Sequence, residues 1–236
     1  MGSLLTYALM KKILFVLLAL GLTISNLAAH TSHYQNFKKI EMEILKDGEV
    51  IGYNFYFFNK EDDVITVKNQ IRFKVDLFGI DVFNFEGYGI EKYKDNKLIS
   101  YESKTKQNDK EKFVNLIYEP EKDKFDIKGS SYTGLAGTNN IIGNWWNHQI
   151  LQADSQISAV SGSIKEQVVT FLAKEKIALY GKIIEVDHFK LTLKNKNTPK
   201  DKKLDFNIWY DSENAMIVKV SYSRMGNWEY RLKNYK

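Results

Sequence analysis

Apolar and polar positions alternate with a period of two along most of this chain. In FKKIEMEILKDGEVIGYNFYFF, Ile40, Met42 and Ile44 share one side, with Lys39, Glu41 and Glu43 between them. Asp47-Gly48 follows, and Asp-Gly supplies the positive φ angles of a tight hairpin turn. Beyond it Ile51, Tyr53, Phe55 and Phe57 continue the apolar alternation, while Gly52 and Asn54 share the other face. The run after Glu61-Asp62-Asp63 is the most regular. Ile65, Val67, Ile71, Phe73, Val75 and Leu77 oppose Thr66, Lys68, Gln70, Arg72, Lys74 and Asp76. That period describes a strand with one dry and one wet face. Asn69 alone interrupts the dry side, and a polar group there is either hydrogen-bonded or lines a cavity.

The same cadence returns in VFNFEGYGIEKY, KLISYESKT, FVNLIYE and KFDIKG, and later in QVVTFLA, KIIEVDHFKLTL, KLDFNIWY, AMIVKVSYS and NWEYRL. Turn residues separate these runs and both prolines fall outside them, as ladder hydrogen bonding requires. The pattern predicts about eleven or twelve antiparallel strands. So many strands in one domain curl or close, because a flat sheet leaves long exposed edges. The expected fold is all-β with a short helix or two, a curved antiparallel meander forming a half-open barrel.

Residues 130–163 break the alternation and carry little charge. Asn144 is placed to cap a short helix beginning at Trp145-Trp146. Helical spacing then sets Trp146 with Ile150, and Trp145 beside His148. This segment is expected to cover the open side of the sheet, with Asn147 holding the turn and His148 at its edge.

At the N-terminus Lys11-Lys12 precedes ILFVLLALGLTI and then SNLAAH. A basic start, an apolar run of about a dozen residues and a small-residue end describe a secretory signal. The apolar run is short of the roughly 20 residues that span a bilayer. The expectation is a start at Met10, cleavage after Ala29 and one β-rich domain over residues 30–236, exported to the periplasm. Without cysteine in the chain, thiol chemistry, thiolate metal sites and lipidation after the signal are excluded, and the exported fold rests on packing alone.

Loss of Lys11 and Lys12 lowers the net charge from +5 to +3. Lysines are spread among acids except in Lys194–Lys203, which reads as a solvated loop. Export and this mild charge point away from nucleic acid.

Candidate chemistry is sparse. Of the four histidines, only His148 has suggestive neighbours. A zinc site needs three or four ligands, and no second His or paired carboxylate lies near it in sequence. No Gly-x-Ser-x-Gly elbow is present, and Gly87-Tyr88-Gly89 runs into more strand rather than a phosphate loop. No metal or cofactor is expected. Pairs such as Glu41/Glu43 and Asp205/Asp211 belong to charged strand faces. The aromatics are more informative. Phe55, Phe57, Phe73, Phe83 and Phe85 are candidates to face a concave side too wide to fill, and each aromatic buries about 150–250 Å². Trp209 falls with Asp205, Asn207 and Asp211, on the wetter face or under a covering loop.

Three stretches in order, Asp47-Gly48-Glu49-Val50-Ile51-Gly52-Tyr53, Trp146-Asn147 with Ile150-Leu151, and Ile208-Trp209-Tyr210-Asp211, resemble domain-of-unknown-function family 6134 of exported bacterial proteins. Its members read as a Gly-Lys-x-Ile-Gly hairpin, a mid-chain Tyr-Trp-Asn and a late Leu-Trp-Tyr-Asp. Here Trp145 stands where the family has Tyr, and no Pro precedes the motif. More widely, LDFNIWYDSENAMIVKVSYS resembles the half-barrels that carry lipoproteins across the periplasm. That resemblance implies a curved sheet over a hydrophobic cavity and an acyl chain or other apolar guest; fold does not fix function. The expectation is a non-enzymatic periplasmic protein binding a hydrophobic ligand or lipid, with Phe55, Phe57, Phe73, Trp145, Trp146, Asn147, His148 and Trp209 at the cavity and cover. The alternatives are an envelope interaction or assembly factor and a hydrolase using His148. Oligomeric state is left open.

Overall fold

The computed structural model describes Tyr34 and residues 37–195, 197–198 and 203–236. The expected signal segment and part of the Lys194–Lys203 loop lie outside the described residues. The chain divides into two compact units, Met1–Tyr34 and Gln35–Lys236, and the architecture below is that of the second. Among the described residues no helix is long and apolar enough to cross a membrane.

The first meander comprises β1 (Lys39–Lys46), β2 (Glu49–Glu61), β3 (Val64–Leu77), β4 (Ile80–Lys94), β5 (Lys97–Gln107), β6 (Lys110–Glu119) and β7 (Lys124–Gly129). Three short strands follow: β8 (Thr133–Gly137), β9 (Ile141–Gly143) and β10 (Ser155–Ser158), with a 3-10 helix at His148–Leu151 between the last two. A second meander completes the unit with β11 (Ile164–Leu179), β12 (Lys182–Leu193), β13 (Asp205–Asp211), β14 (Met216–Ser223) and β15 (Asn227–Tyr235).

All fifteen strands join one curved sheet of order β8-β7-β6-β5-β4-β3-β2-β1-β15-β14-β13-β12-β11-β10-β9. Pairing of β1 with β15 fuses the two meanders. The hairpins form where expected, because Asp and Asn tolerate positive φ: Asp95 and Asn96 turn at φ 49° and 64°, and Asp47-Gly48 at 51° and 90°. The order ends at β8 and β9, which are joined through residues 138–140 but share no ladder, so the sheet does not close into a barrel.

Two expectations need correction. The strands number fifteen among the described residues, because residues 130–163 contain β8, β9 and β10, and β9 pairs with β10 in parallel, making the sheet mixed. These short strands owe their pairing to neighbouring elements rather than to their own alternation. The helix begins after the tryptophans, and its cap is Asn147, whose Oδ1 accepts from the Gln149 amide at 3.0 Å. Asn144 instead accepts from the Asn147 amide at 3.3 Å.

Two clusters of the core involve the segment between the meanders. Ile44, Phe73 and Phe85 pack with Val160 and Trp228, while Ile150 is sealed among Leu191, Ile208, Ile217 and Val220 with Trp145 beside them. The cover segment therefore contributes to both, and full burial of a side chain such as Ile150 is worth about 1.5–3 kcal/mol.

Candidate functional site

Between the inner face of β3–β5, the cover and the β14–β15 hairpin lies a cavity of about 750 Å³. Ile71, Phe73, Val75, Phe83 and Phe85 form its floor; Gly143, Asn144, Trp145, Ala159 and Val160 form its roof; Tyr222, Met225, Trp228 and Tyr230 form a side wall. Phe73 and Phe85 stack at 4.9 Å, and the Trp228 ring meets Phe73 edge-on at 5.4 Å. Glycine makes this floor possible: an ideal Cβ on Gly52 would stand 2.1 Å from the Arg72 carbonyl oxygen and 2.5 Å from Phe73 Cβ. Only a residue without Cβ lets β2 approach β3 there.

The cover is fastened by polar groups. Glu91, on the inner face of β4, is buried, and its Oε1 accepts from Asn144 Nδ2 at 2.7 Å and Trp146 Nε1 at 3.0 Å. Its Oε2 accepts from the Tyr93 hydroxyl at 2.5 Å. Burial pushes the Glu91 carboxyl up to about 7, against the pull of the Tyr93, Trp146 and Asn144 hydrogen bonds. Burial also raises Tyr93 well above the usual phenol range, assisted by the Glu91 charge. The Trp146 ring sits edge-on to Phe58 at 5.4 Å and to Tyr93 at 5.7 Å.

A second polar line begins at Asn69, the residue that interrupts the dry face of β3. Its Nδ2 donates to Asn54 Oδ1 at 2.6 Å and to the Phe55 carbonyl at 3.0 Å. Asn54 Nδ2 donates to the Tyr56 hydroxyl at 2.8 Å, and that oxygen accepts from the Trp145 amide at 3.2 Å. Farther along the roof, the Tyr101 and Ser103 hydroxyls donate to the Ala159 carbonyl at 2.9 and 2.7 Å. From β11, Gln167 Nε2 donates to the Ile150 and Ala153 carbonyls, each at 2.9 Å.

The expected site residues separate into three groups. Phe73 and Trp145 line the cavity, as do Phe83 and Phe85. Trp146, Asn147 and His148 are buried within the cover and do not line it; Asn147 borders a smaller cavity of about 430 Å³ with Tyr93. The His148 ring lies 5.5 Å from Tyr210, inside rather than at the edge. Trp145, not Trp146, shares the Ile150 cluster.

Phe55, Phe57 and Trp209 are corrected to positions outside the cavity. On β2 the buried parity is Asn54 and Tyr56, whose polar groups are satisfied within the interior. Phe55 lies against Tyr53 at 4.4 Å, with Lys39 Nζ 4.2 Å from its ring centre and 5.2 Å from that of Phe57. Trp209 donates to Glu175, stacks on His188 at 4.5 Å and lies 4.7 Å from Lys219 Nζ. In the late motif, Asp211 caps the following turn by accepting from the Glu213 and Asn214 amides.

Glu91 escaped the sequence reading, which assigned carboxylates to wet faces. The signal was parity: Phe83, Phe85, Gly87, Gly89, Glu91 and Tyr93 alternate on one side of β4, and an acid in that register must be hydrogen-bonded. Among the described residues no group of three or more His, Cys, Asp or Glu is placed to hold a metal ion.

Comparison with known proteins gives the fold a context. A beta-barrel-like protein of the domain of unknown function DUF1849 from Brucella abortus superposes with a TM-score of 0.60 at 10% identity, covering 85% of this chain and 97% of that one. A protein with a YmcC-like fold from Bacteroides fragilis aligns at a TM-score of 0.34 and 11% identity, over 84% of this chain and 94% of that one. The first likeness shows the fold alone. No curated protein matches the chain. The model of the domain of unknown function DUF6134 matches residues 42–233, and the chain belongs to that family.

Proposed function

We propose that this chain is an exported, non-enzymatic binding protein that holds an apolar small molecule or acyl chain in the covered cavity. The observation that carries the reading is a volume of about 750 Å³ floored and walled by Phe73, Phe83, Phe85, Trp145 and Trp228. Protein interiors are otherwise close-packed, and small-molecule sites occupy about 300–1,000 Å³ with mainly apolar linings. The polar groups around it hold the cover rather than face a reacting atom: Glu91 is enclosed by its three donors. His148 lines neither that cavity nor the smaller one, which does not favour hydrolysis. The signal-like N-terminus supports a periplasmic setting, tested by N-terminal sequencing of the protein from a periplasmic fraction.

Native mass spectrometry of that protein, followed by organic extraction, tests the reading. An apolar species is expected to leave with unfolding. A protein that carries no guest and takes up no added acyl compound would overturn the proposal.

A second reading, an envelope interaction or assembly factor, draws on one feature. The β3–β4 hairpin tip presents Leu77, Phe78 and Ile80 to solvent, with Phe78 fully exposed. Strand addition at the sheet ends is less favoured, because β8 and β9 are only five and three residues long and short edges resist pairing.

A further inference from the structure

The charge at the cavity mouth is one-sided. Its lining includes Lys46 and Arg224 and, among the described residues, no Asp or Glu. Lys46 has a partner outside the lining, Asp47, at 2.6 Å. Arg224 is exposed beside Met225, and its Nη2 donates to the Lys203 carbonyl at 3.3 Å; no acid among the described residues pairs with it. The Arg224 guanidinium thus stands at the rim of an apolar cavity, where an arriving anion would meet it with less screening than in open water. Apolar surface also continues from the cavity onto the rim, where Leu77, Val82 and Met225 are both lining and exposed.

We propose that the guest is an anionic amphiphile, its chain in the cavity and its carboxylate or phosphate head held at the mouth by Arg224. The proposal rests on the apolar-cavity reading and adds the sign of the head. Arg224 supplies a planar fork that meets two oxygens of a carboxylate or phosphate.

The test compares hexadecanoate with monohexadecanoylglycerol, equal in chain length and different in charge, by titration of the wild type and an R224Q variant. Wild type is expected to bind hexadecanoate at least about tenfold tighter, with the preference shrinking as salt rises. The R224Q variant is expected to lose the preference and keep its affinity for the neutral amphiphile. Equal affinities in the wild type, or a preference untouched in folded R224Q, would overturn the head-group assignment while leaving the cavity reading standing. Binding of neither amphiphile would overturn both. Inorganic phosphate that binds as tightly as hexadecanoate would show that the head alone is recognised, and would overturn the amphiphile assignment.

Discussion

Trp146 donates its indole Nε1–H to Glu91 Oε1 at 3.0 Å, and both residues are buried. The contact spans 55 positions in sequence and ties the cover to the inner face of β4. It pairs a carboxyl with neutral donors rather than a cation, so burial dominates and the acid is raised to about 7. The fastening of the cover thus contains a group that titrates near neutrality.

Glu91 gives stability a definite pH dependence. Its folded value, about 7, lies above the ordinary 4.5, so the folded state binds more protons than the unfolded state between those values. The stability from neutral Glu91 is fully present below the lower value and is lost as pH rises through the upper one, by about 3 kcal/mol in all. Glu91→Gln keeps the Oε1 acceptor for Asn144 and Trp146 and should remove this slope. Urea unfolding between about pH 5 and pH 8 checks it; identical slopes in variant and wild type would refute the assignment.

Truncation of Trp146 should be costly. Trp146→Ala empties the space against Phe58 and Tyr93 and is expected to lose about 3–5 kcal/mol. Trp146→Phe keeps most of the packing but removes one donor to Glu91, at about 1–3 kcal/mol. Chemical denaturation that left Trp146→Ala as stable as wild type would contradict its burial.

Tyr56→Phe isolates the second fastening. The hydroxyl accepts from Asn54 and from the Trp145 amide; its removal leaves two donors without that acceptor, costing about 1–3 kcal/mol. Amide hydrogen exchange should accelerate at Trp145 while β13 keeps its protection. An unchanged Trp145 rate would mean that the hydroxyl does not hold the roof.

Outer-face aromatics serve as controls. Trp209→Ala removes a stack on His188 and a contact with Lys219, worth about 0.5–1.5 kcal/mol beyond the lost area, and is expected to leave uptake of an apolar probe unchanged. Loss of uptake in a folded Trp209→Ala protein would place the guest somewhere other than the covered cavity.

Strand alternation made the sheet legible. Ile65 to Leu77 read correctly because one face meets water and the other the interior, and the Asp47-Gly48 turn read correctly because φ preference is local. Asn69 was legible as an anomaly whose partner lay on another strand. The parity of β2 was misread because Phe55 and Phe57 are greasier than Asn54 and Tyr56, while the interior needed two polar groups to receive the Trp145 backbone and Asn69. The short strands of residues 130–163 have no period to read, since their pairing depends on elements distant in sequence. Glu91 was hidden by the expectation that acids face water; its burial is offset by Asn144 and Trp146, more than 50 positions away.

The central claim, that the cavity beneath Trp145 and Val160 receives an apolar guest, is tested most directly by titrating the fluorescent apolar probe N-phenylnaphthylamine into wild-type protein and Val160→Trp. The added indole enters the cavity from its roof, and circular dichroism should confirm an unchanged sheet. Saturable fluorescence enhancement in wild type, displaced by an acyl compound and absent in Val160→Trp, is the predicted result. Equal uptake by a folded Val160→Trp protein would contradict the account.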